Sequence, residues 1–226
     1  MKIIDTFFNW RVLQDSFPFL LTGLQLTIAL GVACIVLSSL LGLGIALLRL
    51  YAPYGIKLGA IAYIDIMRAM PLLVMLVLVY YALPFVGITL DPFSAALWAI
   101  SLVGSAYAAE IFRAGIQAIP RGQLEAAQAL GLGYWNQMGF IVLPQALKIV
   151  IPPLTNNAIA LIKDTALASV VAMPELLKQA TQQQSLAANP TPLVGAALLY
   201  LVLLLPLVRL VVFLERRFHS GDEKLL

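Results

Sequence analysis

The chain has 226 residues, 62% of them hydrophobic and only 11% charged, with a formal net charge of +3 and a mean hydropathy of +0.95. Soluble domains carry about 25% charged residues, so a water-facing surface cannot be built from this composition, and the class it gives is an all-α membrane protein. One cysteine and one histidine exclude an internal disulfide and a Cys/His metal cluster, while charges gathered at the ends of apolar runs fit topology setting rather than nucleic-acid binding.

Residues 1–17 mix Lys2, Asp5, Arg11 and Asp15 with Phe7, Phe8, Trp10 and Phe17. They read as an amphipathic or irregular lead-in anchored at the membrane interface, without the apolar core and cleavage site of a removable signal. A first span is expected over about 18–50, where Gly31, Ser38, Ser39, Gly42 and Gly44 let a neighbouring helix come close. A polar turn at Arg49, Tyr51, Pro53 and Lys57 leads to a second span over about 60–83, with Arg68 near its start and a tolerated Pro71 inside it. A third span runs over about 93–119 and stops at Pro120. A fourth, over about 140–161, carries Pro144, Pro152 and Pro153 and meets Lys163-Asp164-Thr165. Residues 172–192 are polar, with Pro174 in the first turn of a short helix and Gln182-Gln183-Gln184 in a solvated loop. The fifth span covers about 193–213 and ends in Glu215-Arg216-Arg217-Phe218-His219. With no soluble insertion and no repeat, residues 1–226 read as one transmembrane unit with its core at about 18–217.

Five transmembrane helices put the termini on opposite sides. With the N-terminus outside, the inner segments hold Arg49, Lys57, Arg113, Arg121, Arg216, Arg217 and Lys224, and the outer ones Lys2, Arg11 and Lys178. The imbalance favours a periplasmic N-terminus and a cytoplasmic C-terminus. Segment 120–139, between the third and fourth helices, then lies inside the cell.

That segment begins Arg121-Gly122-Gln123-Leu124-Glu125-Ala126-Ala127. Pro120 suits a helix start, Glu125 is favoured by the helix dipole at about 0.3–1 kcal/mol, and the alanines keep the rod narrow. Gly131 suits a left-handed cap and Gly133 a second break before Tyr134-Trp135. The expectation is a short helix, a bend and a second short helix, with Leu124 and Leu130 as apolar anchors for a partner groove. The plain alternative is an interfacial connector with no partner.

Glu125-Ala126-Ala127, then Gly131, then Ile141-x-Leu143-Pro144 resembles the EAA loop of ABC-importer permeases, the loop that docks on the ATPase. Arg68-Ala69-Met70-Pro71-Leu72-Leu73 is similar to the Arg-Gly-Thr-Pro-Leu segment of permeases for polar amino acids. Ala106-Tyr107-x-Ala109-Glu110-Ile111-x-Arg113-x-Gly115-Ile116, Leu143-Pro144-Gln145-Ala146, Pro152-Pro153-Leu154-x-Asn156 and Lys163-Asp164-Thr165-x-Leu167 extend the resemblance, as do Glu175-Leu176 and Leu214-Glu215-Arg216-Arg217. It covers about residues 18–217. Ala69, Met70 and Ala166 stand where that subfamily has Gly, Thr and Ser, which bears on substrate choice or gating rather than on fold.

The resemblance implies a multi-pass subunit of the bacterial cytoplasmic membrane that conducts a polar amino acid and hydrolyses nothing itself. ATP and Mg would belong to a partner, and no cofactor is expected on this chain. Gly122, Glu125, Ala126, Ala127, Leu130 and Gly131 would couple to ABC ATPase subunits. The further partners implied are a second permease chain, identical or related, and a periplasmic or lipid-anchored substrate-binding protein. An ion-coupled transporter without an ATPase is the alternative. A membrane hydrolase has little behind it, because the chain has neither a P-loop nor a His-Glu-x-x-His stretch.

Arg68, Glu110, Lys148, Lys163, Asp164 and Arg209 fall in or near apolar spans, where charge is costly. One reading makes Arg68, Asn156, Asn157, Lys163, Asp164 and Thr165 a substrate pathway, with charged groups for the amino-acid carboxylate and ammonium, asparagines as neutral partners, and prolines that free backbone groups. The other is a structural ion network, with Glu110 and Arg113 as a local pair. Lys148 is expected to snorkel to the interface, and Met67, Met70 and Met75 to fill packing gaps.

Overall fold

The computed structural model describes residues 6–219. Asn9 starts the longest helix: its side-chain oxygen accepts from the N–H groups of Arg11 (3.1 Å) and Val12 (3.3 Å), satisfying donors that a helix start leaves orphaned. Its own N–H donates to Thr191 Oγ1 at 3.0 Å, tying this start to that of the last helix. Helix α1 then runs Trp10–Tyr51, 42 residues. This corrects the expected lead-in: from Trp10 onward the chain is continuous helix, because Leu13 and Leu20 already pack with Leu176 and Ala196. At 1.5 Å per residue the rod is about 63 Å long, well beyond a hydrocarbon core of about 30 Å.

The buried stripe of α1 is mostly small residues, among them Gly23, Thr27, Gly31, Cys34, Ser38, Gly42 and Ala46. From Cys34 to Ala46 it fits against α4, Pro92–Gln117, whose buried positions include Ala95, Ala96, Ala99, Ser105, Ala108 and Ala109, while Gly23 and Thr27 meet Leu176 and Gly31 meets Ile162. Small residues on both sides bring the backbones close, and dispersion contacts then hold helices that lipid would otherwise solvate equally well. A Cβ placed on Gly42 would lie 2.6 Å from Ala108 Cβ and 2.8 Å from the Ser105 carbonyl oxygen. Gly44, expected to share this role, has nothing within 4 Å of such a Cβ.

Helix α2 spans Tyr54–Ala69 and α3 spans Leu72–Val77. Between them Met70 is extended (φ −78°, ψ 122°). Pro71 disfavours helix at the residue before it and supplies no N–H to continue the ladder. The two arms, Tyr54–Ala69 and Leu72–Val86, meet at 102°. The expected single span over 60–83 is therefore a broken one, and Arg68 lies in the last turn of α2 rather than near the start of a span.

After α4 comes α5, Arg121–Ala129, then α6, Tyr134–Gln137. A π-turn at Met138–Val142 carries α6 into α7, Leu143–Asp164, which tightens to a 3₁₀ turn over Thr165–Val171. The fourth span is thus longer than expected, at Tyr134–Val171. Helix α8, Leu176–Ala187, starts at Glu175, so Pro174 precedes it and Gln182-Gln183-Gln184 are helical rather than a loop. Buried Glu175 accepts from the N–H groups of Leu177 and Lys178 and from Tyr200 Oη, and the Leu176 N–H donates to Thr27 Oγ1. These bonds fasten α8 to α1 and to α9, Thr191–His219. Among the described residues four helical stretches are long and apolar enough to cross a bilayer, and the bent pair makes a fifth if its arms form one span.

Candidate functional site

The break at Pro71 leaves the end of α2 facing α4 and α7, and two adjoining cavities open there, of about 490 and 460 Å³. Both are lined by Arg68, Tyr107, Asn157, Ala160 and Asp164. The first adds Glu110, Asn156 and Lys163; the second adds Met70, Pro71 and Gly104. On α7 the lining residues Asn156, Asn157, Ala160, Lys163 and Asp164 recur at helical spacing, so one face presents them together. Met70, one of the departures from the subfamily pattern, sits in this wall.

Five of the six expected pathway residues line the cavities. Thr165 does not: it is fully buried and donates its hydroxyl to the Ile162 carbonyl at 2.7 Å, a bond within its own helix turn that leaves the side chain turned from the cavity. Lys163 and Asp164, although adjacent in sequence, both reach the wall. Lys148 is exposed and lines a separate cavity with Gln123, Gln145 and Arg217.

Glu110 carries more than the expected pair. Arg113 Nη2 donates to its Oε2 at 2.8 Å and Arg113 Nε to its Oε1 at 3.3 Å. Arg49, from the last turns of α1, also donates to Oε1. Arg68 Nη1 stands 4.0 Å from Oε2, with its guanidinium carbon 5.5 Å from the Tyr107 ring centroid. One carboxylate thus faces three guanidiniums from three helices, an excess of two positive charges at the cavity's edge. The roles of Arg49 and Tyr107 went unread in the sequence. The signal for Arg49 was there: it lies seven positions after Gly42, on the same helix face, which packs on α4.

Just past α5, Gly131 takes a left-handed φ of +74°. Its N–H reaches the Gln128 carbonyl at 2.9 Å, and the Leu132 N–H reaches the Ala127 carbonyl at 3.1 Å, the paired bonds of a Schellman end. Gly122, Glu125, Ala126 and Leu130 are exposed, Leu130 at 80%. Ala127 is buried, and Leu124 packs with Ile119, Val142 and Ala146. Those two pack toward the bundle, and the exposed residues of the segment face outward. Trp135 is 83% exposed beside this segment.

Residues 56–220 match the family model described as binding-protein-dependent transport system inner membrane component. The chain belongs to this family. It is 37% identical over 218 residues to the probable glutamine ABC transporter permease protein GlnM of Bacillus subtilis, covering 94% of this chain and 99% of that one. It is likewise 37% identical to the arginine transport system permease protein ArtQ of the same organism, over 91% and 94%. A crystal structure of an amino acid ABC transporter with histidines contains a chain 35% identical to this one, with a TM-score of 0.87, covering 96% of this chain and 100% of that one. The permease is a multi-pass inner-membrane protein and a transport subunit, and the likeness is spread over nearly its whole length.

Proposed function

We propose that this permease conducts a polar amino acid inward across the bacterial cytoplasmic membrane, driven by ATP that a separate ABC ATPase hydrolyses. The cavity beside Pro71 carries the reading. It offers Arg68 and Lys163 for a carboxylate, Asp164 for an ammonium, and Asn156 and Asn157 as neutral donors and acceptors, a complement to a zwitterion with a polar side chain. The charge cost of placing these groups in a membrane is offset when water or cargo meets them.

The N-terminus is on the periplasmic side and α5 on the cytoplasmic side, as the distribution of Arg and Lys argues. There α5 docks in a groove of the ATPase through Gly122, Glu125, Ala126 and Leu130, while Leu124, Ala127 and the bend at Gly131 join it to the bundle. Gln123 Oε1 accepts from Gln145 Nε2 at 2.6 Å, and Leu124 packs on Val142 and Ala146. Force on α5 therefore passes directly to α7, the helix that carries Asn156, Asn157, Lys163 and Asp164. ATP and Mg stay with the ATPase. A second permease chain closes the open side of the path, and a periplasmic or lipid-anchored binding protein delivers the cargo.

The test is uptake of labelled glutamine and arginine into sealed proteoliposomes holding the permease, its ATPase and its binding protein. Uptake should require ATP on the α5 side and ignore imposed proton and sodium gradients. Gradient-driven uptake by the permease without an ATPase would establish an ion-coupled transporter instead.

A further inference from the structure

Glu110 does not hold its three arginines equally. Oε1 receives Arg49 and Arg113 Nε, and Oε2 receives Arg113 Nη2. Arg68, at 4.0 Å from Oε2, makes an ion pair without a hydrogen bond. Its side chain is 46% exposed, against 22% for Arg49 and 27% for Arg113. It also lies in the last turn of α2, two residues before the break at Met70-Pro71, and lines both cavities. Arg49 and Arg113 are the fixed partners of Glu110, and Arg68 is the one that can leave.

We infer that Glu110 and Arg68 form a cargo-sensing latch: Glu110 retains Arg68 while the cavity is empty, and a carboxylate entering the cavity takes Arg68 away. The inference rests on the cavity being the cargo path. The physical case is a competition. A guanidinium prefers paired, charge-assisted hydrogen bonds to a carboxylate, and Glu110 already accepts three from Arg49 and Arg113 and none from Arg68. An incoming carboxylate offers two free oxygens. The Tyr107 ring lies under the guanidinium and can hold its plane through the transfer. When Arg68 moves, its ion pair with Glu110 of α4 is lost beside the break that follows α2, and only the contact with the Tyr107 ring remains. Arrival of cargo then shifts the bent arm relative to α4, and a molecule lacking the carboxylate does not. Glu110 and Arg68 are positioning and selectivity residues in this scheme.

The experiment uses the permease–ATPase assembly in lipid nanodiscs, without binding protein, spin-labelled at Ile66→Cys on α2 and Ala114→Cys on α4; both positions are exposed, and native Cys34 is buried. The interlabel distance is followed while L-glutamine, L-arginine or their α-carboxamides are titrated. The expected result is a changed distance distribution with at least one free amino acid and none with its carboxamide. Arg68→Lys, which keeps the charge but not the paired planar donors, should weaken the response, and Arg68→Gln should need about tenfold more ligand or more. Glu110→Asp, which shortens the carboxylate arm, should move the ligand-free distribution toward the ligand-bound one. Equal responses to amino acid and carboxamide, no response at all, or a wild-type response in Arg68→Gln would each overturn the latch. Uptake by the unlabelled wild-type assembly with its binding protein is measured in parallel. ATP-driven uptake with no carboxylate-dependent shift sinks the latch alone, whereas absence of ATP-driven uptake sinks the importer reading and the latch with it.

Discussion

Gly42 and Gly44 sit two residues apart on α1 with opposite surroundings. A side chain at Gly42 meets Ala108, the Ser105 carbonyl and the Ala109 nitrogen within 3.0 Å, whereas Gly44 faces open space. Overpacking costs about 1–3 kcal/mol where side chains can give, and backbone atoms give less. Gly42→Val should therefore lower the thermal unfolding temperature of the purified permease clearly, while Gly44→Ala stays within about 0.5 kcal/mol of wild type. Asp164 belongs to the same scale. Asp164→Asn keeps shape and removes the charge offered to an ammonium, so uptake in proteoliposomes should fall about tenfold or more, with unchanged assembly. The sequence showed that these residues were small or charged. It could not show that Thr165 spends its hydroxyl on Ile162 while its neighbour Asp164 reaches the cavity, because that difference is one step around a helix.

Individual helices were legible to different degrees. The short rod at Arg121–Ala129 follows from Pro120 before it and Gly131 after it. A β-branched residue has little tolerance for the left-handed backbone at Gly131, at a cost of about 1–2 kcal/mol. With open space around this position, Gly131→Val should redirect the turn without a clash, so that ATP-coupled uptake is lost while the protein still inserts. At the start of α4, Asp91 accepts from Phe93 and Ser94 N–H groups at 3.0 and 3.1 Å. Ser94, through its hydroxyl and its N–H, holds the Asp91 carboxyl below its ordinary value. A depressed folded pKa means that the carboxylate's contribution is present above the unfolded pKa and lost as pH falls through the folded one. Asp91→Asn, which keeps a capping oxygen, should thus flatten the acid limb of a pH–melting curve and leave neutral pH little changed. By contrast the break in the second span is not legible in the sequence, since Pro71 permits a gentle kink or a full break and only its neighbours choose between them.

At the scale of the molecule, α1 is about 63 Å long and must stand clear of the hydrocarbon at one end or both. In sealed cells, a membrane-impermeant thiol reagent should label Arg11→Cys from outside and should label Gln128→Cys on α5 only after permeabilisation; buried Cys34 gives a low background. The reverse pattern would invert the topology and separate α5 from any cytoplasmic ATPase. Between α5 and the cavity the connection is short: α5 touches α7 through Gln123–Gln145 and Leu124, and α7 carries the polar wall.

Composition alone determined that this protein lives in a membrane, because 11% charged residues cannot solvate it, and Glu125, Gly131 and Pro144 carried the resemblance to the EAA loop of ABC-importer permeases. Hydropathy located most of the apolar runs for the same reason, that lipid selects for them one residue at a time. The tertiary structure decided what depends on several helices at once: that Arg49 on α1 and Arg68 on α2 converge on Glu110, that Pro71 opens a 102° bend beside Asp164, and that Ala127 turns inward. A sequence records which groups can pair, but partners as far apart as Arg49 and Glu110 are brought within bonding distance only by close packing of α1 on α4.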